Sequence, residues 1–285
     1  MLLPLACTKV VEFELPPAPQ QNALNVILTA DSFIGGFAYQ TLSPTGSDSV
    51  KFITEGSMVI KDEDGNTQAF QLNNPKGSYF SSNRVKQGEC YSMNFTSSLG
   101  VSSSNACIPA HPKVIIIDSG LRVRQAGSAD TLFFINIGIE DSANISNFYR
   151  ITCEADVVDK ININPFGQND TTYRKVNLSI NSNNLLYFVN EYNFDNRALL
   201  LKDDNFDGQI AYLNFTVSTS RSKSLQFYVD AIDENLFNYH STAAAQFAVQ
   251  TDPNAHYINV YNNINNGYGI MGGRNRVLIK WLRHW

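Results

Sequence analysis

The chain has 285 residues, of which 43% are hydrophobic, 12% aromatic and 16% charged, and its formal net charge is −5. These values argue against a nucleic-acid partner, because phosphates demand a basic face that a weakly acidic chain with interspersed charges does not offer. No run of about 18 apolar residues occurs, so the sequence predicts no membrane-spanning helix. The hydrophobic content is enough for one large core or two modest cores.

The first feature in chain order is Cys7, which follows a small residue and a short apolar segment. This order is typical of the end of a bacterial lipoprotein signal, where cleavage exposes a cysteine that receives a diacylglycerol. Residues 1–6 are then the remainder of a signal peptide, and Cys7 is the lipidation site. The alternative is an ordinary cysteine near an arbitrary start. Three prolines within residues 7–21 predict a non-helical tether behind the anchor.

A first β-rich unit is predicted over residues 22–112, because apolar and polar residues alternate with a period of two. We interpret this unit as a small antiparallel sandwich that ends at the stiff, proline-bracketed connector 109–112. Its predicted strands cover residues 24–29, 50–54, 57–61, 68–72 and 90–96.

Cys90 and Cys107 are predicted to form a disulfide. They flank a turn at Ser98 and Leu99, and a hairpin closed at that turn places residue 90 directly opposite residue 107. Opposed Cα atoms in antiparallel strands lie about 4.5–5.5 Å apart, which is within disulfide reach. Two unlinked core thiols are the alternative. With Cys7 lipidated and this pair bridged, Cys153 is left as a buried thiol.

Residues 113–285 are predicted to form a second β-rich domain. A helix is expected near residues 233–249, with Asp233 as its N-cap and with Leu236 and Phe247 on the face that packs against a sheet. The predicted fold class is therefore mainly β, with two β-sandwich (immunoglobulin-like) domains and one α-helix packed in the second. The predicted strands here cover residues 113–118, 131–139, 147–155, 175–180, 185–189, 209–219, 224–230 and 276–282.

A calcium site is one interpretation of Asp203, Asn205 and Asp207. These residues place oxygen ligands at positions 1, 3 and 5 of a run with glycine at position 6, as at the start of a calcium loop. A polar turn before the next strand is the alternative, because Asn214 stands where the loop's Glu is expected and no helix precedes the run. No other cofactor is predicted.

Four stretches of the chain resemble a known family in the family's own order. They are residues 7–16, 88–93 with 108–109, 147–151, and 238–240 with 260–273. The last run is the most specific, although Met271 stands where an aromatic residue is usual. The family is the Bacteroidota outer-membrane lipoprotein family called domain of unknown function 4249. Glycines within this run permit positive φ and close backbone approach, which predicts a tightly packed loop before the last strand. These glycines are Gly267, Gly269, Gly272 and Gly273.

The resemblance implies a β-rich outer-membrane lipoprotein, lipid-anchored on the cell-surface side, whose family is often encoded beside TonB-dependent receptors. Glu12 and Glu14 resemble the acidic surface-export signal of such lipoproteins. Since no catalytic constellation occurs, we predict a protein that is not an enzyme. We expect a docking or accessory subunit of an outer-membrane complex, with a β-barrel such as a TonB-dependent transporter as partner. The alternative is a free-standing glycan- or protein-binding lipoprotein. The interface is expected at loops of one sandwich end, or at segment 261–273 if its side chains are exposed.

Overall fold

The computed structural model describes the chain over residues 19–42, 49–74, 77–123, 131–163, 169–182, 188–192, 197–218, 222–249 and 256–282. These residues form nineteen β-strands, one α-helix and a short 3₁₀ turn, so the fold is mainly β, as predicted. The predicted lipidation site Cys7 and tether residues 8–18 lie outside the described residues. The strands and the helix, in chain order, are β1 (Asn22–Thr29), β2 (Phe33–Gln40), β3 (Lys51–Phe52), β4 (Gly56–Asp62), β5 (Thr67–Ala69), β6 (Gln71–Asn74), β7 (Ser78–Arg84), β8 (Cys90–Ser97), β9 (Gly100–Cys107), β10 (Lys113–Val123), β11 (Thr131–Glu140), β12 (Phe148–Ile163), β13 (Asn169–Leu178), β14 (Asn181–Ser182), β15 (Phe188–Tyr192), β16 (Arg197–Lys202), β17 (Ile210–Ser218), β18 (Ser222–Ile232), α1 (Glu234–Val249) and β19 (Gly267–Leu282).

The strands are arranged in one large sheet and two small sheets. The large sheet has eleven strands in the order β15-β16-β12-β18-β19-β1-β2-β7-β6, with β13 beside β12 and β3 beside β2. One small sheet has the order β5-β4-β8-β9, and the other has the order β10-β11-β17-β14. Each small sheet covers one half of the inner face of the large sheet, which produces two sandwiches that share a sheet.

The N-terminal sandwich encloses a core between β1, β2 and β7 on one side and β4, β8 and β9 on the other. Along β1 the buried residues alternate, so that Leu24, Val26 and Leu28 all point inward. From β8, Met93 and Phe95 meet them and are at most 1% exposed. Each such side chain stabilises the fold by about 1.5–3 kcal/mol through burial, which is why period-two alternation predicts the inner face.

The C-terminal sandwich packs β12, β16 and β18 of the large sheet against β11 and β17. Its core contains alternate residues of β11, including Ile135, Ile137 and Ile139, and the rings of Phe215 and Phe227. All five are at most 2% exposed. Buried residues alternate along much of β11 and β17, as expected for two sheets packed face to face.

The last strand, β19, joins the two sandwiches. It pairs in parallel with β1 and antiparallel with β18, and its Met271 belongs to the N-terminal core. The glycine-rich run was predicted to be a loop before a strand at 276–282; this was wrong, because the strand already begins at Gly267. Gly269 has φ +114°, and a Cβ there would lie 1.9 Å from the carbonyl oxygen of Leu24. The glycines therefore permit the close parallel pairing of β19 with β1.

Helix α1 lies on the outer face of the large sheet, the face opposite the two small sheets. The Oδ1 atom of Asp233 accepts the Leu236 N–H at 2.8 Å, which confirms Asp233 as the N-cap. Leu236 and Phe237 pack in a cluster that includes Phe148 of β12. Phe247, predicted to face the sheet, is instead 40% exposed. Among the described residues no helix combines the length and apolarity needed to cross a bilayer.

Candidate functional site

The described cysteines have structural roles. Cys90 and Cys107 are directly paired across β8 and β9 and are joined by a disulfide with Cα atoms 3.9 Å apart, so the predicted bridge is confirmed. Cys153 is a free thiol in the C-terminal core. Burial, and to a smaller extent the charge of Glu154, raises the pKa of the Cys153 thiol to about 12. The thiolate is therefore scarce at neutral pH, and Cys153 is unsuited to nucleophilic chemistry.

Three carboxylates meet at the run predicted to bind calcium. Asp141, which follows β11, lies beside Asp203 and Asp207. Side-chain oxygens of the three residues lie within 4.8 Å of one another. Asn205 shares the 3₁₀ turn of Asp203. The sequence-based prediction missed Asp141, because only the long-range pairing of β11 with β17 brings it to this turn.

Each of these carboxylates accepts a backbone N–H across the turn. Burial, and after it the neighbouring charges, raises the pKa of Asp203 above its ordinary value, although the bond from Asn147 acts in the opposite direction. Carboxylate oxygens are ligands that Ca²⁺ prefers, and the same bonds also stabilise a polar turn that holds no ion. The bonds run from Asn147 to Asp203 at 2.6 Å, from Asn144 to Asp207 at 2.8 Å and from Gly208 to Asp141 at 3.1 Å.

Five aromatic side chains cover the outer face of the large sheet at its N-terminal end. We call this surface the aromatic face; it consists of Phe33, Phe37 and Tyr39 on β2, Phe52 on β3 and Phe80 on β7. The ring centroids of Phe37 and Tyr39 lie 6.2 Å apart, those of Tyr39 and Phe52 5.4 Å, and those of Phe33 and Phe80 5.4 Å. Four of the five are at least 36% exposed, and Phe33 reaches 49%. The rings form two neighbouring apolar clusters that contact solvent, Phe33 with Phe80 and Phe37 with Tyr39 and Phe52.

A cation borders the aromatic face. The guanidinium of Arg84 lies 4.6 Å from the ring centroid of Phe33 and donates a hydrogen bond to the Asp31 carbonyl oxygen. The sequence-based prediction missed this surface, because β2 and β7 were not among the predicted strands. The signal was present in the period-two spacing of Phe33, Phe37 and Tyr39, in which Gly35 occupies the intervening position.

Segment 261–273, a predicted interface candidate, contributes to the framework of the fold and also exposes several side chains. The Asn263 side chain donates to the Met271 carbonyl at 2.8 Å and accepts the Met271 N–H at 2.9 Å. The Ser104 hydroxyl donates to the Asn263 carbonyl at 2.8 Å. Ile264 and Met271 are buried in the N-terminal core, whereas Asn262, Asn265, Asn266 and Tyr268 are exposed. These contacts brace β19, and the four exposed side chains keep the segment as an interface candidate.

A cavity of about 250 Å³ lies between α1 and the outer face of the large sheet. Its charged lining residues are Arg150 of β12, Asp230 of β18 and Arg274 of β19. Asp230 is fully buried, and both of its oxygens accept hydrogen bonds from Arg276, at 2.6 and 2.7 Å. The strand register explains this arrangement, since Arg150, Asp230 and Arg276 lie side by side on adjacent strands.

Arg274 is held at the rim of the cavity. Its Nε atom donates to the Thr29 hydroxyl at 2.8 Å, and its Nη1 atom lies 3.8 Å from Asp230. Burial lowers the pKa of Arg274 to about 10; the charges of Arg276 and Arg150 act in the same direction, and Asp230 opposes them. The surroundings of Arg274 are therefore both poorly hydrated and rich in positive charge.

Two of the four stretches that carry the family resemblance contribute to this cavity. Arg150 belongs to the stretch 147–151, Tyr239 and His240 to the stretch 238–240, and Ile270 to the closing run. The mouth of the cavity also adjoins the aromatic face, because Asn25 in its lining is paired directly with Phe37. Both surfaces therefore lie on the same outer face of the large sheet.

Comparison with known proteins gives a family and distant structural likenesses. No curated protein matches the chain. Similar solved structures include a DUF4785 family protein from Legionella pneumophila subsp. pneumophila str. Philadelphia 1, 8% identical over 76% of this chain and 53% of that chain, with a TM-score of 0.25. Another is the B domain of a biofilm associated protein, 8% identical over 91% of this chain and 85% of that chain, with a TM-score of 0.19.

The chain spans about half the length of the Legionella protein, and likenesses at these TM-scores carry no argument about function. The family match is far more extensive. A family described as Domain of unknown function (DUF4249) matches residues 38–277, which is most of the chain and includes three of the four stretches noted in the sequence. The chain therefore belongs to the family Domain of unknown function (DUF4249).

Proposed function

We propose that this protein is a surface-facing outer-membrane lipoprotein, anchored through Cys7, that acts as a non-enzymatic docking subunit for a β-barrel membrane protein such as a TonB-dependent transporter. The observation that carries the proposal is the exposed aromatic face. Exposed apolar side chains grouped on one face of a sheet are typical of contact sites. Aromatic residues and arginine are also the residue types enriched where protein partners bind most strongly, and Arg84 supplies the arginine here.

The position of the anchor supports a partner in the membrane. The described chain begins at Pro19, and Ala23 of β1 is paired directly with Tyr39 of the aromatic face. The chain between Cys7 and Pro19 reaches at most about 40 Å when fully extended. A lipid on Cys7 would thus keep the aromatic face close to the bilayer, where a tethered protein meets an embedded partner at high effective concentration.

A free-standing glycan-binding lipoprotein is the second candidate, because neighbouring exposed rings also offer a surface on which sugar rings stack. The composition of the aromatic face favours a protein partner. Four of its five rings are phenylalanines, which have no polar atom to hydrogen-bond sugar hydroxyls, and Tyr39 alone has one.

Co-purification from the native outer membrane tests the docking role. The intact lipoprotein would be isolated after gentle solubilisation as wild type, as the double variant Phe37→Thr/Phe80→Thr, and as the control Tyr212→Thr. Tyr212 is 61% exposed on β17, in a different sheet. We expect a β-barrel protein in stoichiometric amounts with wild type and control, and its loss from the double variant. A monomer from all three preparations, together with specific binding on a glycan array, would instead establish the second candidate.

Membrane fractionation tests the anchor separately. Cys7→Ser should move the protein from the outer-membrane fraction to a soluble fraction, because acyl chains would supply its main membrane affinity. Unchanged membrane retention, with no acyl mass on the N-terminal peptide, would contradict the lipid anchor. Protease added to intact cells would then report whether the anchored protein faces outward.

A further inference from the structure

We infer that two copies of this chain associate through strand β10, whose open edges pair in antiparallel register about Gly120 and set Asp118 of each copy opposite Arg122 of the other. This inference is independent of the docking role, because β10 lies in a small sheet and the aromatic face lies on the large one. Three observations support it: an open sheet edge, exposed apolar side chains along that edge, and the order of the charges within it.

Strand β10 is an open edge in the part of the chain that the structure describes. Its 11 residues pair with β11 on one side, and β10 stands at the end of the order β10-β11-β17-β14. The free side of such a strand presents main-chain N–H and C=O groups that can pair with another strand. A strand supplied by another molecule then extends the sheet through the same kind of hydrogen bonds.

The edge is apolar for most of its length. Four of its large side chains are 43–53% exposed, namely Ile115, Ile116, Ile117 and Leu121. Edge strands that stay solvated usually carry charges, prolines or bulges instead. The ladder between β10 and β11 has one irregularity, at Ile117, and is regular from Asp118 to Val123. The regular part beyond the bulge is therefore the part suited to receive a second strand.

The large sheet is open on the same side of the C-terminal sandwich. Phe133 of β11 packs against Trp281 of β19 with ring centroids 4.8 Å apart, and β14 follows β13 closely, so the small sheet runs from β10 above β19 to β14 above β13. Among the described strands, β19 pairs only with β18 from residue 275 to residue 282. Ile279 and Trp281 are partly buried beside this opening. A second copy that continues the small sheet would cover it.

The order of charges in β10 favours a second copy of this chain as the occupant. Asp118, Gly120 and Arg122 share one face of the strand, because successive side chains alternate. It is the face that points away from the core, since the buried residues of β11 are opposite Ser119 and Leu121 instead. Asp118 and Arg122 are both exposed, and the Arg122 guanidinium lies 4.1 Å from the centroid of the Phe134 ring on the same face.

A two-fold axis through Gly120 pairs these opposite charges. Because such a contact is isologous, the pair of Asp118 with Arg122 forms twice, once from each copy. An axis through Asp118 or through Arg122 would instead set like charges opposite each other, which is destabilising. On the core-facing side, Leu121 of one copy lies diagonal to Leu121 of the other, within reach of apolar contact. Each copy uses its single β10 edge, so the assembly closes as a dimer.

Sedimentation velocity of the full-length protein tests the association, with Cys7→Ser in every sample so that acyl chains cannot associate. The concentration series extends to about 100 μM, because a contact between two short strands belongs to the small, weak class of interfaces. We expect a shift from monomer to dimer as the concentration rises. Asp118→Arg or Arg122→Asp alone should weaken dimerisation at least about tenfold, because each sets like charges opposite, and the two substitutions together should restore it. Asp64→Arg is the matched control, since it makes the same charge change in the exposed turn after β4, and it should leave dimerisation unchanged.

Cysteine crosslinking tests the register separately. Gly120→Cys should give a disulfide-linked dimer on mild oxidation, because directly opposed Cα atoms lie about 4.5–5.5 Å apart, within disulfide reach, whereas Asp64→Cys should not. A Cβ atom at Gly120 would meet only the end of the Phe134 ring, at 3.0 Å, and that side chain can shift. A monomer at every concentration would overturn the inference. So would single charge reversals that dimerise normally, a double reversal as weak as the single ones, or equal crosslinking from positions 120 and 64.

Discussion

Gly273→Ala should destabilise the protein, because an added methyl group at this position would clash with a neighbouring strand. It lies in β19, where the end of β9 approaches the large sheet. A Cβ atom built at Gly273 would be 2.1 Å from the carbonyl oxygen of Cys107 and 2.8 Å from its carbonyl carbon. Both obstructing atoms are backbone, so no side-chain rotation can relieve the clash. Gly273→Ala therefore requires β9 and β19 to separate.

The size of the effect follows from these distances. Real Cβ atoms essentially never come within 3.0 Å of such a neighbour, so the strands must move apart by roughly 0.9 Å. Overpacking of this kind typically costs about 1–3 kcal/mol. We expect the upper end of that range, because Cys107 is tied by its disulfide to Cys90 and β19 is paired on both sides. For a chain of 285 residues that corresponds to a fall in melting temperature of about 5 °C.

Thermal unfolding followed by circular dichroism measures this fall, with Gly35→Ala as the matched control. Gly35 also lies in a strand of the large sheet, but a Cβ there would meet only the Tyr79 carbonyl oxygen, at an ordinary 3.6 Å. The control should melt at the wild-type temperature or slightly above it, since alanine reduces the entropy of the unfolded chain. Equal melting temperatures for Gly273→Ala and Gly35→Ala would refute the close approach of β9 to β19.

Three further substitutions test other parts of the structure. Burial raises the pKa of Asp233 to about 6 from its ordinary 3.8, so its contribution to stability is present in full below pH 4 and is lost as the pH rises through 6. Relative to Asp233→Asn, wild type should lose on the order of 2–3 kcal/mol of unfolding free energy between pH 4 and pH 7 in urea titrations; parallel curves would contradict this. Cys90→Ser/Cys107→Ser should lower the unfolding free energy by about 3 kcal/mol and abolish any effect of reductant, while a variant still sensitive to reductant would disprove the bridge. Asp207→Asn should raise the melting temperature in EDTA by about 1–2 °C by removing repulsion from Asp203, and a calcium-dependent rise in wild type that the variant lacks would identify an ion site.

Local patterns predicted those parts of the fold that depend on neighbouring residues. The hairpin register placed Cys90 opposite Cys107, and the structure has this pairing. The helix near 233–249 was predicted from its N-cap and its apolar spacing, and α1 covers Glu234–Val249. In both cases the interacting groups lie within a single turn or hairpin, so the sequence contains the whole interaction.

Long-range pairings decided the parts that were missed. The parallel pairing of Asn22–Thr29 with the start of β19 joins opposite ends of the chain, and nothing local distinguishes the glycines that permit it from glycines of a loop. Strand β2 was overlooked because Gly35 and Gly36 weaken its strand propensity. The fold nevertheless requires glycine at position 36, because a Cβ atom there would lie 2.7 Å from the Val26 side chain on the neighbouring strand. The charged lining of the cavity was not recognised, because Arg150, Asp230 and Arg274 lie on three successive strands of the sheet and come together only in the folded protein.

The docking role is tested most directly by photo-crosslinking in living cells of the native host. Benzoylphenylalanine would replace Phe37 in the aromatic face, and in a matched control it would replace Tyr212 on β17, in one of the two small sheets. Crosslinked adducts would be identified by mass spectrometry after irradiation. We expect a β-barrel outer-membrane protein to be crosslinked from position 37 and not from position 212. Adducts with lipid or glycan alone at position 37, or the same adducts from both positions, would contradict docking through the aromatic face.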